Sequence, residues 1–146
     1  MMNEPPLQAR WLLDTCAISE LSKPHPNEGL RQWLMPHADQ CVLSSASLGE
    51  IHYGIACLPT GAKRNQLYAW ANLLAQQFSG RIMSTDDNTW KCFGELKASL
   101  RAMGRMQDAL DIVIAATAMA HGLTLVTRNT RHFTDTGIAL INPWKP

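Results

Sequence analysis

Short apolar runs alternate along this chain with longer segments of helical spacing, and that rhythm constrains the fold more than any other feature. The runs RWLLD at 10–14, CVL at 41–43, LTLVT at 123–127 and IALI at 138–141 read as short buried strands. Residues 46–58, 63–78, 86–103 and 109–121 read as helices, their apolar positions recurring every three or four residues. Ser44, Ser45 or Ser47 stands where the first of these would be capped, and Asp86 where the third would be. Gly104 and Gly122 mark the ends of the third and fourth. The fourth is apolar nearly all round, the mark of a buried helix. Strands that alternate with helices build βαβ units, so the sheet is expected to be mainly parallel, covered on both faces, with about four or five strands.

The Pro- and Gly-containing breaks at 23–27, 58–62 and 142–146 are short and read as loops, which leaves one domain over 1–146, with 1–9 a flexible amino-terminal extension. Apolar residues make up 46% and charged ones 17%, enough for a sizeable core and too apolar for intrinsic disorder. The longest apolar stretch, 112–120, is interrupted by Thr117 and is too short to cross a bilayer. MMNEPPLQAR lacks a basic segment followed by an apolar run, so no secretory signal and a cytoplasmic location are expected. Net charge is +1 but uneven: −3 over residues 1–60, +4 over 61–105 and 0 over 106–146. A mild basic excess of that kind is more often a solvated helix face than a polyanion site. Cysteines 16, 41, 57 and 92 form no CxxC pair, which argues against a zinc knuckle or a disulfide framework and for buried or half-buried reduced thiols.

Three carboxylates stand out by position. Asp14 ends the first strand, and in open parallel sheets the ligand crevice lies at the carboxyl ends of strands. Glu50 falls in the first turns of the helix after the second strand, at the same sheet edge. Asp111 lies near the start of the apolar helix, beside Ile112, Val113 and Ile114, with no lysine or arginine between 106 and 125 to neutralise it. Its compensation comes from elsewhere in the fold, from a bound cation, or from the helix dipole; for Asp108, in the first helical turn, the dipole is explanation enough. Acids converging on one crevice repel, and oxygen ligands without a His or Cys cluster select Mg²⁺, or Mn²⁺ in its place, over Zn²⁺. Such an ion supports hydrolysis of phosphate esters.

At these same positions the sequence resembles a family. LLDTCAISEL at 12–21 resembles the opening of PIN-domain ribonucleases of the VapC/FitB toxin type. SLGEIHYGI at 47–55 is similar to that family's second acidic motif, DIVIAATA at 111–118 to its third and LTLVTRN at 123–129 to its fourth, with INPW at 141–144 in keeping. Four motifs in order over residues 11–144 are far more specific than any one.

The resemblance implies a three-layer α/β/α PIN fold and a Mg²⁺-dependent endoribonuclease, the toxin of a type II toxin–antitoxin pair. Asp14, Glu50 and Asp111 would be its catalytic and metal-holding residues. Its partners would be an RNA substrate, a second copy in a homodimer, and a VapB/FitA-like antitoxin whose carboxyl-terminal tail covers the acidic groove. Many relatives place a fourth acid at the position of Asn129 or of His132, and this chain has neither; both remain candidate ligands, and one tightly held ion is expected rather than two. Cys16, where many relatives carry Asn, is given no ligand role. Arg128 and Arg131 flank the groove as candidate contacts to RNA phosphates. Two other readings stay open: a phosphatase or DNA nuclease built on the same carboxylates, and a PIN-like module that binds a partner without cutting.

Overall fold

The structure is a computed structural model that describes residues 8–105 and 107–145; residues 1–7 of the expected extension lie outside the described residues. Among the described residues five strands, β1 (Trp11–Leu13), β2 (Cys41–Ser44), β3 (Ile82–Met83), β4 (Thr124–Val126) and β5 (Leu140–Ile141), form one sheet. Its order is β3-β2-β1-β4-β5 and every pairing is parallel. Among the described residues there are six α-helices: α1 (Thr15–Glu20), α2 (Glu28–His37), α3 (Ser45–Ala56), α4 (Ala62–Gln77), α5 (Asp87–Ala102) and α6 (Ala109–His121).

Alternation along the strands sorts two cores onto the two faces of the sheet. Leu12, Val42 and Leu125 pair in register and pack with Leu96 and Leu100 of α5 and Ile112, Ile114, Ala115 and Ala118 of α6. Leu13, Leu43 and Val126, one residue on, face the other way and pack with Ile18 of α1, Leu30 of α2, Ile51 and Ile55 of α3 and Leu74 of α4. A side-chain period of two is what makes a three-residue strand serve both layers. The result is the expected α/β/α sandwich.

Several boundaries come from single side chains. Ser44 caps α3 by accepting from the Ala46 amide at 3.1 Å, and Asp86 caps α5 through the Thr89 amide at 2.9 Å. Gly122 closes α6 in the left-handed conformation, φ 63°, where a Cβ would be strained. Sequence spacing missed β3, α1 and α2. Among the cysteines Cys57 is exposed rather than half-buried, while none is in a disulfide. Among the described residues no helix is long and apolar enough to cross a membrane.

The carboxyl-terminal tail folds back on the start of α2. Asn27 caps that helix, its Oδ1 accepting from the Gly29 and Leu30 amides at 3.0 and 3.2 Å and from the Lys145 amide at 3.1 Å, while its Nδ2 donates to the Lys145 carbonyl at 3.0 Å. A Cβ on Gly29 would lie 2.5 Å from both the Pro143 carbonyl oxygen and the Lys145 nitrogen. Both obstacles are backbone, so the tail would have to move. Gly29→Ala gains up to about 1 kcal/mol of helix propensity, against an overpacking cost of about 1–3 kcal/mol. The clash wins: a net loss of about 1–2 kcal/mol is expected, read as a lower urea midpoint at constant m-value. A midpoint equal to or above the parent's would refute the tight docking of the tail.

Candidate active site

The sheet order reverses direction between β1 and β4, and a doubly wound sheet opens its crevice at the carboxyl ends of the strands at such a switch point. Asp14 follows β1 directly and Thr127 follows β4 directly, and the Asp14 amide donates to the Val126 carbonyl at 3.0 Å. Asp14 is 4% exposed and caps α1, its Oδ1 accepting from the Thr15 amide at 2.8 Å. Its Oδ2 accepts from the buried Thr127 hydroxyl at 2.7 Å and from the Cys16 thiol at 3.4 Å. The Thr127 oxygen accepts in turn from the Asn129 amide at 3.0 Å. Asp14 is thus held by donors on both oxygens, and its Oδ1, with one donor, keeps a lone pair for a ligand.

Glu50 arrives from α3 and is steered by the Thr15 hydroxyl, which donates to its Oε1 at 2.7 Å. Asp111 arrives from α6, and His132 Nδ1 stands 3.6 Å from its Oδ2. With Asp108, Ser19 and Asn129 these residues line one cleft of about 470 Å³. The three sequence-designated acids therefore face a common space from a strand end and two different helices. Asn129 and His132 line it too; Arg131, exposed, lies on the 3₁₀ turn Thr130–His132 and does not.

Electrostatics mark the cleft as short of positive charge. Burial pushes the Asp111 carboxyl up to about 6, the charge of Asp14 adds to this, His132 opposes it, and Asp108 and Glu50 add smaller increments. Burial also raises Glu50, against the Thr15 hydroxyl that lowers it, with Asp14 and Asp108 adding to the rise. The Cys16 thiol is raised by burial and by Asp14, so it stays protonated as a donor.

Asp108 was the residue sequence reasoning undervalued. It caps α6, accepting from the Leu110 amide at 2.9 Å, and it also lines the cleft and adds to its negative field. Thr15 was missed outright, because its partner lies 35 residues away and leaves no local trace.

The donors suit a hard divalent cation: carboxylate and hydroxyl oxygens, no lysine or arginine among the described residues of the cleft wall, and mutual repulsion that a cation relieves. Among the described residues no group of three Asp, Glu, His or Cys side chains is placed to hold a metal ion by itself. Mg²⁺ does not require one, since it keeps several waters and is commonly held through one or two carboxylates.

A five-stranded parallel sheet with an acid-lined cleft at its switch point defines a class of α/β domain, and comparison identifies which. Residues 11–138 match the PIN domain, and the chain belongs to that family. It is 35% identical over 135 residues to toxin FitB from Neisseria gonorrhoeae, covering 91% of this chain and 97% of that protein. To VapC ribonuclease Y4jK from Sinorhizobium fredii it is 32% identical over 140 residues, covering 92% and 98%. In three dimensions it is similar to a chain of FitAB bound to an IR36 DNA fragment, with TM-score 0.84, 33% identity and coverage of 93% and 96%. Its relatives are thus toxins of the VapC/FitB type.

Proposed function

We propose that this protein is a Mg²⁺-dependent endoribonuclease and the toxin of a toxin–antitoxin pair. The observation that carries the reading is the convergence of Asp14, Glu50 and Asp111 on one cleft whose wall holds no lysine or arginine among the described residues. Two likenesses support it: Y4jK is named a VapC ribonuclease and FitB a toxin. Asp14 and Asp111 would hold the cation. Bound there, Mg²⁺ supplies charge neutralisation at the reacting phosphate and lowers the pKa of a water molecule. Asp14 is kept in one orientation by Thr15 and Thr127. Glu50, whose Oε1 is occupied by Thr15, would accept a proton from the attacking water on Oε2, and its raised pKa brings it nearer the working range of a general base. His132, when protonated, offers a donor to a phosphate oxygen at the rim.

Likeness to a chain of the FitAB complex supports an antitoxin as partner, and the cleft is where such a partner would silence the enzyme. The cation-poor wall favours a partner that brings an arginine or lysine to the acids.

The test is a parallel assay of the purified chain on single-stranded RNA, DNA and a phosphomonoester, with Mg²⁺ and with EDTA. Internal cleavage of RNA alone, abolished by EDTA and restored by added Mg²⁺ or Mn²⁺, is expected. Cleavage of DNA or the monoester at comparable rates would replace this reading with the broader phosphoesterase. RNA binding with no cleavage of any substrate would make the chain a binding module.

A further inference from the structure

An acid-lined cleft repels the phosphates on either side of the bond it cuts, so the strand must be held from beside the cleft. A larger cavity of about 620 Å³ lies next to it, lined by Glu20, Lys23, His25, Arg128, Trp144 and Lys145 with two asparagines. Chain neighbours line the two cavities at two points. Ser19 lines the acidic cleft and Glu20 the second cavity; Asn129 lines the cleft and Arg128 the second cavity. Consecutive Cα atoms are about 3.8 Å apart, so the two cavities lie against the same short segments of chain.

Charge in this second cavity is of the opposite sign. Glu20, its one acid, is 8% exposed and fully engaged: Oε1 accepts from Lys23 Nζ at 2.9 Å and Oε2 from the Asn27 amide at 3.0 Å. That pair cancels and fastens the loop between α1 and α2. Arg128 and Lys145 remain, both exposed, with His25 beside them. Among the described residues the Arg128 guanidinium has no hydrogen bond or ion pair, and the Lys145 ammonium donates only to Gln32 Oε1 at 2.8 Å. The wall is fixed rather than adventitious, since Asn27 grips the Lys145 main chain at both its N–H and its carbonyl. Trp144, half-buried, adds an aromatic surface.

We propose that this cavity is a second RNA subsite, in which Arg128 and Lys145 hold the backbone phosphates of the strand flanking the scissile bond and Trp144 offers a face to a base. It rests on the endoribonuclease reading and adds to it the path of the substrate. The pocket is assembled from the end of α1, the α1–α2 loop, the β4 exit and the carboxyl-terminal tail, so the tail contributes to binding and not only to stability.

The test measures binding, not cleavage. Anisotropy of a labelled single-stranded RNA oligonucleotide is titrated in EDTA with the parent chain and with R128Q/K145Q, from about 50 to 200 mM salt. Loss of two phosphate contacts predicts about tenfold or greater weakening at the low end. It also predicts a slope of log K against log salt shallower by about 1.4, at about 0.7 per contact on a single strand. Both side chains are exposed and the clamp uses the Lys145 main chain, so the melting temperature should be unchanged; Arg128→Gln alone, which touches no clamp atom, should show half the slope change. A parent chain that cuts RNA while the variant keeps its affinity and slope assigns these cations to some other anion and overturns the subsite alone. A parent chain that neither binds nor cuts RNA overturns the subsite and the nuclease reading together.

Discussion

Asp111→Asn should lower RNA cleavage by about 1,000-fold or more and, in the same protein without metal, raise the melting temperature. The loss of activity follows from removing one of two carboxylates proposed to hold the cation, whose charge stabilisation is worth several kcal/mol. The gain in stability follows from the raised carboxyl. An acid at about 6 in the folded protein and 3.8 in the reference state keeps its proton on folding over that interval, while the unfolded chain gives its proton up. Below pH 3.8 the group is protonated in both states and costs nothing. As pH rises from 3.8 to about 6 folding stability falls, and above about 6 the penalty is complete. At about 1.36 kcal/mol per pKa unit the bound is about 3 kcal/mol; solvent screening of a side chain that is 24% exposed brings it to about 1–2 kcal/mol. In EDTA the Asp111→Asn protein should therefore melt roughly 2–8 °C higher than the parent at pH 7.5 and no higher at about pH 3.5, below the reference value. Equal melting of variant and parent at both pH values would show that Asp111 does not sit in the repulsive field described. Undiminished cleavage would remove it from the site.

Thr127 carries the second large effect without touching substrate. It is fully buried, and its hydroxyl both orients Asp14 and receives the Asn129 amide. Thr127→Val keeps the volume and removes the hydroxyl, leaving the inner oxygen of Asp14 without its short donor. Groups that orient metal-holding residues typically cost about 10–100-fold when removed, and an unsatisfied buried acceptor costs about 1–3 kcal/mol of stability. The expected result is a fall in kcat of about 10–100-fold, little change in KM, and a higher Mg²⁺ concentration at half-maximal rate. Thr127→Ser, which restores the hydroxyl, should recover most of the activity. A purely structural threonine would lose stability in both variants with no shift in the Mg²⁺ dependence, and that outcome would rule out the positioning role.

How far the molecule could be read from its residues depended on how local the determinants were. Helix α6 was legible to the residue, because its stop at Gly122 and its apolar surface lie within the segment. The meeting of the acids at one cleft was legible because a parallel sheet gathers its strand ends at one edge, so Asp14 could be placed there before any contact was known. Strand β3 was not, since two residues, Ile82 and Met83, carry no periodicity of their own and pair only because β2 is already there. Helix α1 has six residues and is held by Asp14 at its start, and α2 contains Pro36 near its end, which breaks the expected signal. Asp108 was not legible as part of the cleft: the helix dipole accounts for an acid in the first turn, while its capping bond and its place in the cleft wall show only in three dimensions.

The two cores on opposite faces of the sheet have one more consequence. Glu50 stands on α3, in the layer built on Leu13 and Leu43, whereas Asp111 stands on α6, in the layer built on Leu12 and Leu125. Neither half of the sandwich holds both acids. A chain with only one layer docked cannot bring both acids to one cleft, so their meeting depends on the whole sandwich being folded.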